Sequence, residues 1–255
     1  MISYFKFFRR NPKSPTPRFF GNTTRLIVVF TLAFLSTASA QNTNEVQRHG
    51  VDFEQWVRDT LFDGYQAPYT QKWDIEASSN TNLPPPYRDL PVSVKCAKAG
   101  RPIDLADALR QRSINGPFII ILGLWNQRTP HEKWIEEMLC LRIDPAAWEP
   151  LWGSLSYDDI AALDAVVKDR SSSVTEARAF AIQWKRERRD SGSSISINYK
   201  IDERGQRRVQ CSIPLETLLS AAVASERGNT IFNHAFPNPI PSSPRVPAAP
   251  ATSLD

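Results

Sequence analysis

The chain has 255 residues, with 31 Lys+Arg against 27 Asp+Glu and a net charge of +4. Hydrophobic residues make up 41% and charged residues 23%, which excludes a disordered chain and a polytopic membrane protein. Three widely spaced cysteines (Cys96, Cys140, Cys211) exclude a disulfide framework and a clustered zinc site, and three scattered histidines exclude a histidine-based metal centre.

Residues 1–25 carry six basic side chains and no acid, ahead of the apolar run Leu26–Leu35 and an Ala-Ser-Ala site. Residues 1–40 therefore read as a signal peptide or other targeting leader. The ten-residue run is too short to span a bilayer, so no stable membrane span is expected in the mature chain. The reading predicts export, to the periplasm or the extracellular space; with no working leader the protein would be cytoplasmic. Removing the six leader cations takes +4 to −2, so the basic balance belongs to the leader.

Over Asn44–Phe62 the residues Val46, Gly50, Phe53, Val57 and Leu61 fall at helical spacing. Thr70–Ala77 alternates as a strand, with Trp73 and Ile75 on one face and Lys72, Asp74 and Glu76 on the other. Leu90–Ala97 alternates again, with Val92, Val94 and Cys96 opposite Ser93 and Lys95. Asp104 is placed to cap a helix over Leu105–Arg112, with Asp107 at the reciprocal position. Pro117–Trp125 is continuously apolar, as expected of a strand covered on both faces.

The second half reads as more helical. Ser156-x-x-Asp159 opens one helix and Val174–Arg189 forms another, ending in the basic run Lys185–Arg189. Trp148 and Trp152 are expected in the core. Ser194–Ile201 and Gln206–Ile213 predict a hairpin with Lys200, Arg208 and Gln210 on its polar face. Pro214 suits the first turn of a last helix running to Ala224. Six prolines between Phe236 and Asp255 predict a disordered tail over 236–255.

The order of Glu54 on a helix, Asp74 on a strand and Lys95 on the next strand, 21 residues later, resembles the PD-(D/E)xK nuclease superfamily. The resemblance covers roughly residues 45–125. It implies an α/β (α+β) fold of restriction-endonuclease-like type, a central mixed sheet flanked by helices over 42–128. Residues 129–235 would then be a helical and basic hairpin extension packed on that core. It further implies a Mg²⁺-dependent endonuclease acting on double-stranded DNA, with a homodimer for double-strand cleavage. Asp74 and Glu54 would hold the metal, with Glu76 as a second candidate acid, and Lys95 would stand beside the attacking water. The Val94 carbonyl is a further possible ligand by the same resemblance. Two positions depart from the family pattern: Trp73 stands where proline is common, and Ser93 stands where the second acid belongs. A hydroxyl is a poor substitute for a carboxylate on Mg²⁺.

Lys185–Arg208 is net +4 within a mature chain of −2. Lys185, Arg188, Lys200, Arg207, Arg208 and Gln210 are the candidate DNA contacts, since such side chains grip phosphates or read base edges. Two other readings compete: a non-catalytic DNA-binding protein on the same scaffold, and an exported interaction domain of unrelated function.

Overall fold

The computed structural model describes residues 38–66, 68, 71–129, 132–202, 205–227, 231–232 and 236–240, with side chains from His49 onward. The expected leader lies outside these residues except for Ala38–Ala40, which begin helix α1 (Ala38–Leu61). The strands are β1 (Val92–Lys98), β2 (Ile103–Asp107), β3 (Phe118–Thr129), β4 (Glu132–Ile143), β5 (Ser196–Ile201), β6 (Arg207–Ile213) and β7 (Ala222–Arg227). The remaining helices are α2 (Ala108–Arg112), α3 (Pro145–Trp148), α4 (Tyr157–Lys168), α5 (Val174–Glu187) and α6 (Leu215–Ala221). The fold is mixed α/β, with a four-stranded sheet ordered β1-β3-β4-β7 and a three-stranded sheet ordered β2-β6-β5.

β1 runs parallel to β3, and the other pairs of the larger sheet are antiparallel. β3 lies inside this sheet, and the period-two rule sends its apolar residues to two cores. Phe118, Ile120, Leu122 and Leu124 join one cluster, and Ile119 and Ile121 join the other. That is why the segment reads as continuously apolar. α1 packs on the second cluster through Phe53, Val57 and Leu61. It can approach closely because Gly123 has no side chain; a Cβ there would meet the Phe53 ring at 2.8–3.0 Å. The first cluster is shared with the smaller sheet, α4, α5, and the fully buried Trp148 and Trp152.

Several expectations change. The segment around Asp74 is not a strand: only Ile75 bridges, to Val92. Ile75 enters one core while Trp73 packs against the other, so they do not share a face. Asp104 lies in β2 and its carboxylate accepts the Ala106 N–H; Asp107 caps α2 instead, accepting from Arg110. β4 was unread in the sequence. The last helix stops at Ala221 and the chain continues as β7, paired with β4. Both sheets draw strands from either side of residue 128, so the second half is woven into the first. Of the expected tail, Phe236–Ile240 is described, and it packs. Phe236 and Ile240 are buried, Ile240 bridges Lys133, and Asn238 hydrogen-bonds both backbone groups of Ile135.

Candidate active site at the edge of β1

β1 is the last full strand on its side of the sheet, and its outer N–H groups need partners. Ile75 satisfies one: its carbonyl accepts the Val92 N–H at 2.9 Å. Asp74 satisfies the next: its Oδ2 accepts the Val94 N–H at 2.7 Å and the Ser93 hydroxyl at 3.3 Å. The carboxylate thus takes the place of a neighbouring strand. The Lys95 ammonium lies 3.8 Å from the same oxygen and donates to the Val94 carbonyl at 3.1 Å. Neither side chain is fully exposed, at 17% for Lys95 and 29% for Asp74.

Glu54 reaches this group from α1. It forms an i,i+4 ion pair with Arg58 at 2.5 Å. Burial raises its pKa first, and the negative Asp74 raises it further, while Arg58 and Lys95 pull it down. Glu54, Asp74 and Lys95 therefore share one electrostatic environment, although they come from a helix, an irregular segment and a strand. Arg58 was not singled out in the sequence, yet its i+4 spacing from Glu54 was a readable signal. Glu76 follows the bridge and precedes a short 3₁₀ turn over Ala77–Ser79, with no side-chain cap bond. It is not among the charges acting on Glu54.

Among the described residues, no group of three or more His, Cys, Asp or Glu is placed to hold a metal ion. The donor chemistry is that of two neighbouring carboxylates whose charges oppose one another. Mg²⁺ suits such a pair, since it keeps several waters and commonly binds one or two carboxylates together with a substrate phosphate. Ser93 adds a hydroxyl where a third oxygen anion would strengthen the set.

At the far end of β1, His49 packs edge-on to Trp125 at 5.0 Å, and Lys133 and Lys98 lie over the same indole at 4.9 and 5.8 Å. Burial, helped by Lys133, lowers the His49 pKa to about 4. The ring is partly buried against Trp125.

The basic residues separate. Lys200 and Arg208 stand opposite each other across the β5–β6 pair, both exposed. Like charges held face to face repel. Lys185, Lys200 and Gln210 line one cleft of about 430 Å³ with Asp104 and Ser212. Arg188 is engaged by Asp159 at 2.7 Å and stacks on Trp184 at 4.8 Å. Arg207 donates to the carbonyls of Val167, Asp169 and Ser172, closing the end of α4. These two arginines hold the fold together, and sequence position alone did not separate them from Lys185, Lys200 and Arg208, which have no carboxylate partner among the described residues. Comparison with known proteins adds no identity: no family model matches, and neither a curated protein nor a solved structure is similar to the chain.

Proposed function

We propose that the protein is a metal-dependent DNA endonuclease of the restriction-endonuclease-like (PD-(D/E)xK) type, hydrolysing phosphodiester bonds. The observation that carries this reading is the Asp74–Lys95 pair on the edge of β1, with the Glu54 carboxylate in the field of both. Bound Mg²⁺ would supply Lewis-acid polarisation of a phosphate and a water acidic enough to serve as nucleophile. Asp74 and Glu54 are the residues to hold it, with Glu76 in reserve. The Val94 N–H and the Ser93 hydroxyl, both donating to Oδ2, hold the Asp74 carboxylate at the edge of β1. Lys95 orients the attacking water and offsets charge building on the phosphate. Lys200, Arg208 and Gln210 contact the duplex, and an anionic phosphate relieves the Lys200–Arg208 repulsion. Two copies act together for double-strand cleavage. The leader reading places the mature enzyme outside the cytoplasm, and no helix among the described residues is long and apolar enough to cross a membrane.

A second reading has its own support. Ser93 in place of an acid, and a site with no third carboxylate among the described residues, favour a protein that binds DNA on this scaffold without cutting it. Supercoiled plasmid incubated with the protein and Mg²⁺ separates the two. The nuclease reading expects nicking that chelation stops, with Asp74→Asn and Lys95→Met each slower by about a hundredfold or more. Equal cleavage by wild type and both variants would overturn the site assignment; binding with no cleavage would establish the second reading.

A further inference from the structure

A cleft of about 420 Å³ opens between α5 and β5, apart from the carboxylate–lysine site. Lys185, Arg186, Arg188 and Arg189 contribute to its wall, and no acidic side chain lines it. Arg188 is neutralised by Asp159. Arg186 and Arg189 are exposed and form no ion pair among the described residues. Lys185 donates one hydrogen bond, to the Ile197 carbonyl at 3.2 Å, leaving two of its three donors for a ligand. The C-terminal dipole of α5 amounts to about half a negative charge. That is too little to account for three further cations at the same place.

The rest of the lining mixes apolar side chains with the hydroxyls of Ser191, Ser193 and Ser196. Ile195 and Ile197 are buried beneath it, Tyr199 is half-buried, and Ile182 remains 42% exposed at its rim. An exposed isoleucine beside unneutralised cations suits a ligand with a flat apolar body and an anionic head. The volume is within the roughly 300–1,000 Å³ range of small-molecule sites. The neighbouring cleft shares Lys185, Ile197 and Tyr199 and continues to Lys200 and Gln210.

We propose that this cleft binds a nucleoside monophosphate, its phosphate among Lys185, Arg186 and Arg189 and its base over Ile195, Ile197 and Tyr199. The nucleotide arrives either free or as the 5′-phosphorylated end of a strand. In the second case the following nucleotide occupies the adjoining cleft near Lys200. The inference does not depend on phosphodiester cleavage at Asp74.

Calorimetric titration of the full chain tests it with adenosine 5′-monophosphate, adenosine, inorganic phosphate and a 5′-phosphorylated oligonucleotide. The expected result is saturable binding of the monophosphate, with adenosine and phosphate each weaker by about tenfold or more. Arg189→Ala, at an exposed residue with no side-chain partner among the described residues, weakens the monophosphate by about tenfold, whereas Asp74→Asn leaves it unchanged. An oligonucleotide that binds tighter than the monophosphate, and loses that gain in Lys200→Ala, identifies a strand end; equal affinities identify the free nucleotide. Phosphate binding as tightly as the monophosphate, no saturable monophosphate binding, or an unchanged Arg189→Ala variant would overturn the proposal. Plasmid nicking by the Asp74→Asn and Arg189→Ala variants, assayed beside the titrations, reads loss of cleavage and loss of nucleotide binding separately.

Discussion

Asp74 binds the backbone of β1, the Ser93 hydroxyl and the Lys95 ammonium through one oxygen, Oδ2. Its Oδ2 completes the hydrogen bonding of β1 at Val94, an interaction whose removal leaves an edge N–H unpaired. The candidate acid is therefore also a fold residue, and Asp74→Asn is a better probe of chemistry than truncation to alanine. His49 offers a contrasting residue-scale test. Its folded pKa of about 4 lies below the ordinary value of 6.5. Between those pH values the unfolded chain binds a proton that the folded chain does not, so the contribution of His49 to stability is lost as pH falls through that window. Urea unfolding at pH 7 and pH 5 should show wild type losing more stability than His49→Phe. Equal losses would mean that the ring is solvated in the folded state.

The seating of α1 on β3 decides where Glu54 stands. Phe53, the preceding residue, lies fully buried over Gly123. Gly123→Ala forces a methyl group against that ring, and overpacking of this kind costs about 1–3 kcal/mol. Chemical denaturation should show that loss, with partial recovery when Phe53→Leu is added; additive losses would contradict the contact. Some elements were legible because their signals are local. The Ser156 capping box marks α4, and strict alternation marks β5 and β6. Others were not. β4 mixes exposed Glu132 and Glu136 with the buried run Met138–Leu141, because only its second half is paired with β7. β7 is a small-residue segment that continues a helical pattern, and pairing with β4 overrides its local preference. The Asp74 segment mimicked a strand because its residues alternate in polarity, yet it is held by a single bridge and by a carboxylate.

At the scale of the molecule, the two halves of the sequence are interleaved in both sheets. The spacing of Glu54, Asp74 and Lys95 was readable without that topology, because each lies in the first half of the chain. What spacing did not reveal was the division of the basic residues. Arg188 and Arg207 close helix ends and an ion pair, while Lys185, Arg186, Arg189 and Lys200 have no carboxylate partner among the described residues. Residual positive charge is concentrated around β5, whereas the paired carboxylates stand at the edge of β1. A nucleic-acid substrate needs both, one for affinity and one for chemistry.

The central claim is that Glu54 and Asp74 form one site for a divalent cation. Ser93 provides the sharpest probe, because its hydroxyl already lies 3.3 Å from Asp74 Oδ2. Titration of the protein with Mn²⁺, followed by paramagnetic resonance of the free ion, should give one bound ion per chain, weakened by about tenfold in Glu54→Gln, lost in Asp74→Asn and tightened by about tenfold in Ser93→Asp. Binding that is the same in all four proteins, or absent from wild type, would contradict the account.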